Sequence, residues 1–99
     1  MNKRNQDKIF YQNIWDKSKH ICEECGTYLQ TFNPSFISHI LSKGAFPQLR
    51  YDERNINILC FKHHEQWEFW NKKEMRIWIK NKIIIEKLKF EIYTNKKKE

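Results

Sequence analysis

No stretch of this chain is long and apolar enough to cross a bilayer. Its longest aliphatic run, Ile83-Ile84-Ile85, sits between Lys82 and Glu86, far below the roughly 18 residues a spanning helix needs. A disulfide scaffold is also disfavoured: there are three cysteines, an odd number, no secretory leader is read, and two of the thiols form a Cys-x-x-Cys pair. A soluble, cytoplasmic protein with no membrane partner is expected. Glycine and proline are scarce, two of each, and all four fall between Gly26 and Pro47. Acidic residues are outnumbered, 12 against 19 Lys and Arg, for a net charge of +7. That excess favours a polyanionic partner, although a solvated lysine-rich surface accounts for the same charge.

Ninety-nine residues make one domain, residues 1–99, that buries only about two-thirds of its unfolded surface. Charged residues reach 31%, above the usual level of about 25%, so the core is small and a structural metal would help to hold it. No internal repeat is present.

Phe10, Tyr11, Ile14 and Trp15 predict an amphipathic helix over 5–18. A tight turn over 22–26 follows, relaxed by Gly26, and then a short apolar strand over 34–41, opened by Pro34. Residues 42–55, with Gly44, Pro47 and a cluster of charges, read as a loop. Ile56 and Ile58 alternate with Asn57 in a second strand that ends at Cys60. From His63 the pattern turns helical to about Asn71, with Trp67 and Trp70 read as core. Asn71 and Glu74 resemble a capping box for another helix that buries Met75, Trp78 and Ile79. Asn81 is read as a break. A last helical segment then carries Ile84, Ile85, Leu88 and Ile92 towards a frayed tail at 96–98, so the C-terminal extension covers 72–93.

Cys22-Glu23-Glu24-Cys25 and Cys60-Phe61-Lys62-His63 each place two potential ligands two residues apart. A tight turn with that spacing points both side chains at one ion, and zinc takes four tetrahedral thiolate or imidazole ligands. Cys22, Cys25, Cys60 and His63 are therefore the expected structural zinc (Zn2+) set, with every cysteine used. His64 is the competing imidazole, but His63 keeps the spacing symmetric. His20 reads as a solvated neighbour.

Ser38-His39-Ile40, Asn55-Ile56-Asn57-Ile58-Leu59-Cys60 and His63-His64, threaded through this knuckle, resemble the HNH endonucleases. The span from Ser38 to His64, with Gly44, Leu49-Arg50-Tyr51-Asp52 and Asn55, is most similar to phage recombination endonucleases of the NinG type. The resemblance covers roughly residues 20–80. It implies an α+β fold: a ββα-metal (His-Me finger) core over about 20–71, with a structural zinc knuckle and flanking N- and C-terminal helices. It also implies phosphodiester hydrolysis on DNA, including branched recombination intermediates, in the cytoplasm of a bacterial or phage-infected cell.

By position, the resemblance makes His39 the general base, a task suited to an imidazole with a pKa near 6.5. His64 would hold a catalytic Mg2+ or Mn2+ ion, and Asn55 would orient the loop or the His39 ring. Ser38 departs from the pattern, because many members carry Asp or His there as an ion ligand. Glu68, one helical turn after His64, is the candidate replacement, although a solvated helix residue is its plainer reading. Lys43, Arg50 and Arg54 are candidate phosphate contacts in the loop. Two non-enzymatic readings stand beside this one: a zinc-knuckle module that binds nucleic acid without cutting it, and a zinc-stapled domain that binds an acidic protein.

Overall fold

The computed structural model describes residues 2–98, with side chains as far as Asn95. The lysine tail predicted at 96–98 lies outside those side chains. Among the described residues there are three α-helices and one two-stranded antiparallel sheet, an α+β arrangement.

Helix α1 spans Lys3–Lys17, and its N-cap, Asn2, accepts the Asn5 amide at 3.0 Å. Trp15 is its buried residue. With Tyr11 and Ile14 it packs on Leu29, Phe36, Ile37 and Ile58. The chain then turns at His20, which has a positive φ of 59°. This conformation is uncommon for a side-chain-bearing residue. Its ring stacks on the Trp15 indole with centroids 3.9 Å apart, and Nε2 bonds the Trp15 carbonyl at 3.1 Å. His20 is therefore packed against the helix it follows, not solvated as the sequence predicted.

The knuckle is a small hairpin closed by an Ile21–Tyr28 bridge. Cys22 N–H donates to Thr27 O, and Gly26 N–H to Cys22 O, each at 2.9 Å. Gly26 has φ +77°, where glycine alone is unstrained. The Glu23 amide donates to Ile58 O at 2.8 Å and so docks the hairpin on the sheet.

The predicted strand over 34–41 is shorter than expected. Asn33 caps the Ser35 amide, and Pro34–Phe36 forms a 3-10 turn before β1, Ile37–His39. β2 is Ile56–Ile58, with Ile37 opposite Ile58, Ser38 opposite Asn57 and His39 opposite Ile56. Helix α2, Phe61–Phe69, starts directly after Cys60. Trp67 is buried on it and donates its indole N–H to Ile40 O at 3.1 Å. Trp70, expected in the core, is 67% exposed beyond the helix end.

The helix expected from Asn71 is only a 3-10 turn, Lys72–Glu74, and the Asn71 side chain makes no cap bond. An extended step at Met75 places Met75 and Ile77 in the core with period two, leaving Ile79 73% exposed. Helix α3 then runs unbroken as Trp78–Lys98. Its approach is capped from the knuckle: the buried Glu24 carboxylate accepts the amides of Arg76 and Ile77 at 2.9 and 3.0 Å. Asn81 does not break α3. It is fully buried and donates to Asn57 Oδ1 at 2.7 Å, tying the helix to β2. Leu88, with Ile84, Ile85 and Ile92, packs on Leu41 and Leu49. Among the described residues, no helix is long and apolar enough to cross a membrane.

Candidate metal centre and adjoining cleft

The hairpin supplies Cys22 and Cys25, Cys60 is the N-cap of α2 just after β2, and the first turn of α2 supplies His63. Their ligand atoms all lie within 4.8 Å of one another. Cys60 Sγ is 3.2 Å and Cys22 Sγ 3.8 Å from His63 Nδ1, and Cys25 Sγ is 4.0 Å from Cys60 Sγ. Ligands about 2.0–2.3 Å from a tetrahedral zinc ion stand roughly 3.5–3.8 Å apart, so the group fits. It is a Cys3His site compatible with a structural ion, and zinc suits its donors. The two neighbouring histidines separate because successive helical residues diverge by about 100°: His63 faces the thiols and His64 faces away.

The thiols differ before any ion acts on them. The Thr27 hydroxyl, 3.0 Å from Cys25 Sγ, lowers the Cys25 pKa to about 6. Burial raises that of Cys60 to about 11. A coordinated cation reverses the second effect, since a bound thiol is deprotonated outright.

Beside this centre, β1, α1, the 42–44 loop and α2 enclose a cleft of about 420 Å³. His39, His64, Glu68, Lys43 and Tyr11 line it, with the backbone around Ser35. His39 is 6% exposed, and its Nε2 lies 2.9 Å from the Arg50 carbonyl. A carbonyl only accepts, so Nε2 carries the proton and Nδ1 is the basic nitrogen, with no hydrogen bond among the described residues. Burial is the main cause holding the His39 pKa below its ordinary value; the Arg50 carbonyl opposes this, and the Lys43 and Arg50 charges add to it. His64 is fixed in the same way: Nδ1 bonds the Ser35 carbonyl, and Nε2 faces Glu68 Oε1 at 3.4 Å.

Asn55 lies outside the cleft. Fully buried, it accepts the Leu41 amide at 2.8 Å and donates to the carbonyls of Leu41 at 2.9 Å and Leu49 at 3.3 Å. It closes the loop that carries Lys43, and its hydrogen bonds go to that loop's backbone and not to the His39 ring. Nor do Arg50 and Arg54 present free guanidinium groups. Arg50 grips Asp7 through Nε at 2.9 Å and Nη2 at 2.6 Å. Asp7 is thereby lowered to about 2. Arg54 pairs with Asp52 at 2.7 Å and Glu91 at 2.8 Å. Of the predicted phosphate contacts, only Lys43 lines the cleft, its ammonium 3.2 Å from the Tyr11 hydroxyl. Ser38 is fully buried, with no hydrogen-bond partner for its hydroxyl among the described residues.

Sequence reasoning missed a second groove of about 600 Å³ that shares Tyr11 and Pro34 with the cleft and is rimmed by Lys3, Arg4 and Lys8. These three cations form no ion pair among the described residues. The signal was available in the i, i+4 spacing of Arg4 and Lys8 on α1. Compared with known proteins, the chain matches no family model, no curated protein and no solved structure.

Proposed function

We propose that this chain is a metal-dependent DNA endonuclease of the HNH type, with the order β1, loop, β2, α2 serving as a ββα-metal core on a zinc knuckle. The observation that carries the reading is the paired orientation of His39 and His64. Each ring is pinned through one nitrogen by a backbone carbonyl, and both histidines line a shared cleft with one carboxylate and one lysine.

In this reading His39 Nδ1 takes the proton of the attacking water, and burial keeps the imidazole neutral near pH 7. His64 Nε2 and Glu68, on one face of α2, would hold a Mg2+ or Mn2+ ion together with phosphate oxygens and water. Such an ion supplies charge neutralisation at the phosphate and at the departing oxygen. Lys43, and beyond it Lys3, Arg4 and Lys8, bind the phosphates on either side. Asn55 holds the loop in place.

Supercoiled plasmid incubated with purified protein and Mg2+ or Mn2+ tests the reading, and a four-way junction tests the branched substrate that the resemblance implies. Nicked or linear product that disappears with His39→Ala is the expected result. Glu68 as the single carboxylate among the cleft's lining residues favours one rival, a zinc-knuckle module that binds nucleic acid without cutting it. Salt-dependent DNA binding with no product under either cation would select that rival.

A further inference from the structure

Helix α3 has two apolar faces. Asn81, Ile85, Leu88 and Ile92 follow the side turned into the domain. Ile79, Ile83 and Phe90 follow another side and are 73%, 62% and 67% exposed, with Tyr93 continuing the line at 57%. The second series is displaced from the first by two residues, about 200° around the helix, so it points directly away from the core. Its steps from Ile79 through Ile83, Glu86 and Phe90 to Tyr93 are four, three, four and three residues, the spacing of a helix–helix seam.

The residues beside the seam identify what covers it. Lys80 and Lys87 border one side, Lys82 and Lys89 the other. Lys80 is paired with Glu23, and Lys89 lies over the Phe46 ring. Lys82 and Lys87, one on each border, form no ion pair among the described residues. A second copy of α3 would set lysine against lysine in either orientation, which opposes self-association. Glu86, in the middle of the stripe, opposes a lipid surface, where a central carboxylate is costly. In a helical seam a single polar residue instead sets the register.

We propose that this face of α3 docks an amphipathic helix of another protein, with an apolar stripe bordered by acidic residues and a basic or amide group opposite Glu86. This surface is separate from the cleft and independent of whether the chain cuts DNA.

The test uses the zinc-loaded full chain and two synthetic helical peptides of about three heptads, each with leucine at the seam and one central lysine. One peptide carries Glu at the bordering positions and the other carries Lys. The Glu-bordered peptide is expected to bind at least about tenfold more tightly in fluorescence anisotropy. Phe90→Glu should abolish binding without moving the melting transition, because the side chain is exposed. Lys82→Glu with Lys87→Glu should reverse the preference. Equal affinity for the two peptides, or affinity for neither, overturns the proposal. So does a dimer in sedimentation equilibrium that Phe90→Glu dissociates, or co-sedimentation with phosphatidylserine vesicles that the same substitution removes.

Discussion

His39 takes its orientation from Arg50: the imidazole Nε2–H donates to the Arg50 main-chain carbonyl at 2.9 Å, while the Arg50 side chain is clamped by Asp7 from α1. An arginine that the sequence marked for phosphate thus acts through its backbone, and α1 reaches the proposed base through this ion pair as well as through the Tyr11 ring, edge-on to the His39 ring with centroids 6.1 Å apart. Asp7→Ala should loosen that carbonyl and lower nicking, while zinc content stays unchanged. Removing these charged hydrogen bonds should cost about 1.5–3 kcal/mol in denaturant unfolding. His39→Ala should lower nicking further, by roughly 100-fold or more. Equal nicking by Asp7→Ala and wild type would remove the positioning role.

The pH dependence follows from burial. The folded state holds His39 below its ordinary pKa, so the neutral, proton-accepting form persists on the acid side of the usual value of about 6.5. Nicking should be flat at neutral pH and fall only as the pH drops through the lowered value. The sign is the same for stability: a depressed pKa contributes stability that is present above the unfolded value and lost as acid protonates the ring. Lys43→Ala removes a nearby positive charge and should move the acid limb of the rate profile to higher pH. A rate–pH profile for the two proteins, with their melting curves, checks this.

Removing the knuckle ion should unfold the chain. The four ligands come from the hairpin, the N-cap of α2 just after β2, and the first turn of α2, which meet over a small core, so chelation should lower the melting temperature sharply and re-addition of zinc should restore it. One zinc per chain is the expected stoichiometry. Thr27→Val removes the hydroxyl beside Cys25 and should weaken zinc affinity by about tenfold or more in a competition titration with a chromophoric chelator. A metal-free protein with an unchanged melting curve would refute the centre.

Electrostatics divides the cations into two sets. Arg54 is neutralised by Asp52 and Glu91, whereas Arg4 and Lys8 rim the groove beside the cleft. Deleting one cation that neutralises a phosphate should reduce the salt dependence of duplex binding by about 0.9 in log–log slope. Arg4→Ala with Lys8→Ala should therefore flatten the slope by nearly two, while Arg54→Ala leaves it unchanged and lowers stability instead. Binding isotherms over a salt series distinguish the two sets.

The Cys3His group that could hold a metal ion was legible because spacing encodes it: two x2 pairs leave few other geometries for three thiols and one imidazole. α1 and β2 were legible through hydrophobic period, and α2 in part, since Trp67 is buried but Trp70 is not. What failed depended on tertiary partners. Asn81 reads as a helix breaker by propensity, but a buried amide facing Asn57 reverses that preference. Met75 and Ile77 alternate where helical spacing was expected, because Glu24, more than fifty positions earlier, holds the next amides. The roles of Arg50 and Asn55 could not be read from residue type, since the carbonyl that positions His39 belongs to the main chain.

Ser38 offers the sharpest test of the β1 register. If the serine merely replaced a carboxylate that faces the ion, Ser38→Asp would restore a ligand and raise Mg2+-dependent cleavage. The structure predicts the opposite. Ser38 is fully buried opposite Asn57, and its hydroxyl has no partner among the described residues. The Asn57 amide nitrogen already donates to Glu23, and its oxygen accepts from Asn81. The nearby Asn81 oxygen is itself an unpaired acceptor. A carboxylate placed there gains no evident donor and becomes an unpaired buried charge, a class of change that costs about 3–5 kcal/mol. Ser38→Asp should therefore lower the unfolding midpoint and leave nicking no faster than wild type. Ser38→Ala, which removes an unbonded hydroxyl, should be neutral or stabilising. A fully stable Ser38→Asp protein with faster cleavage would show that this side chain faces the ion after all.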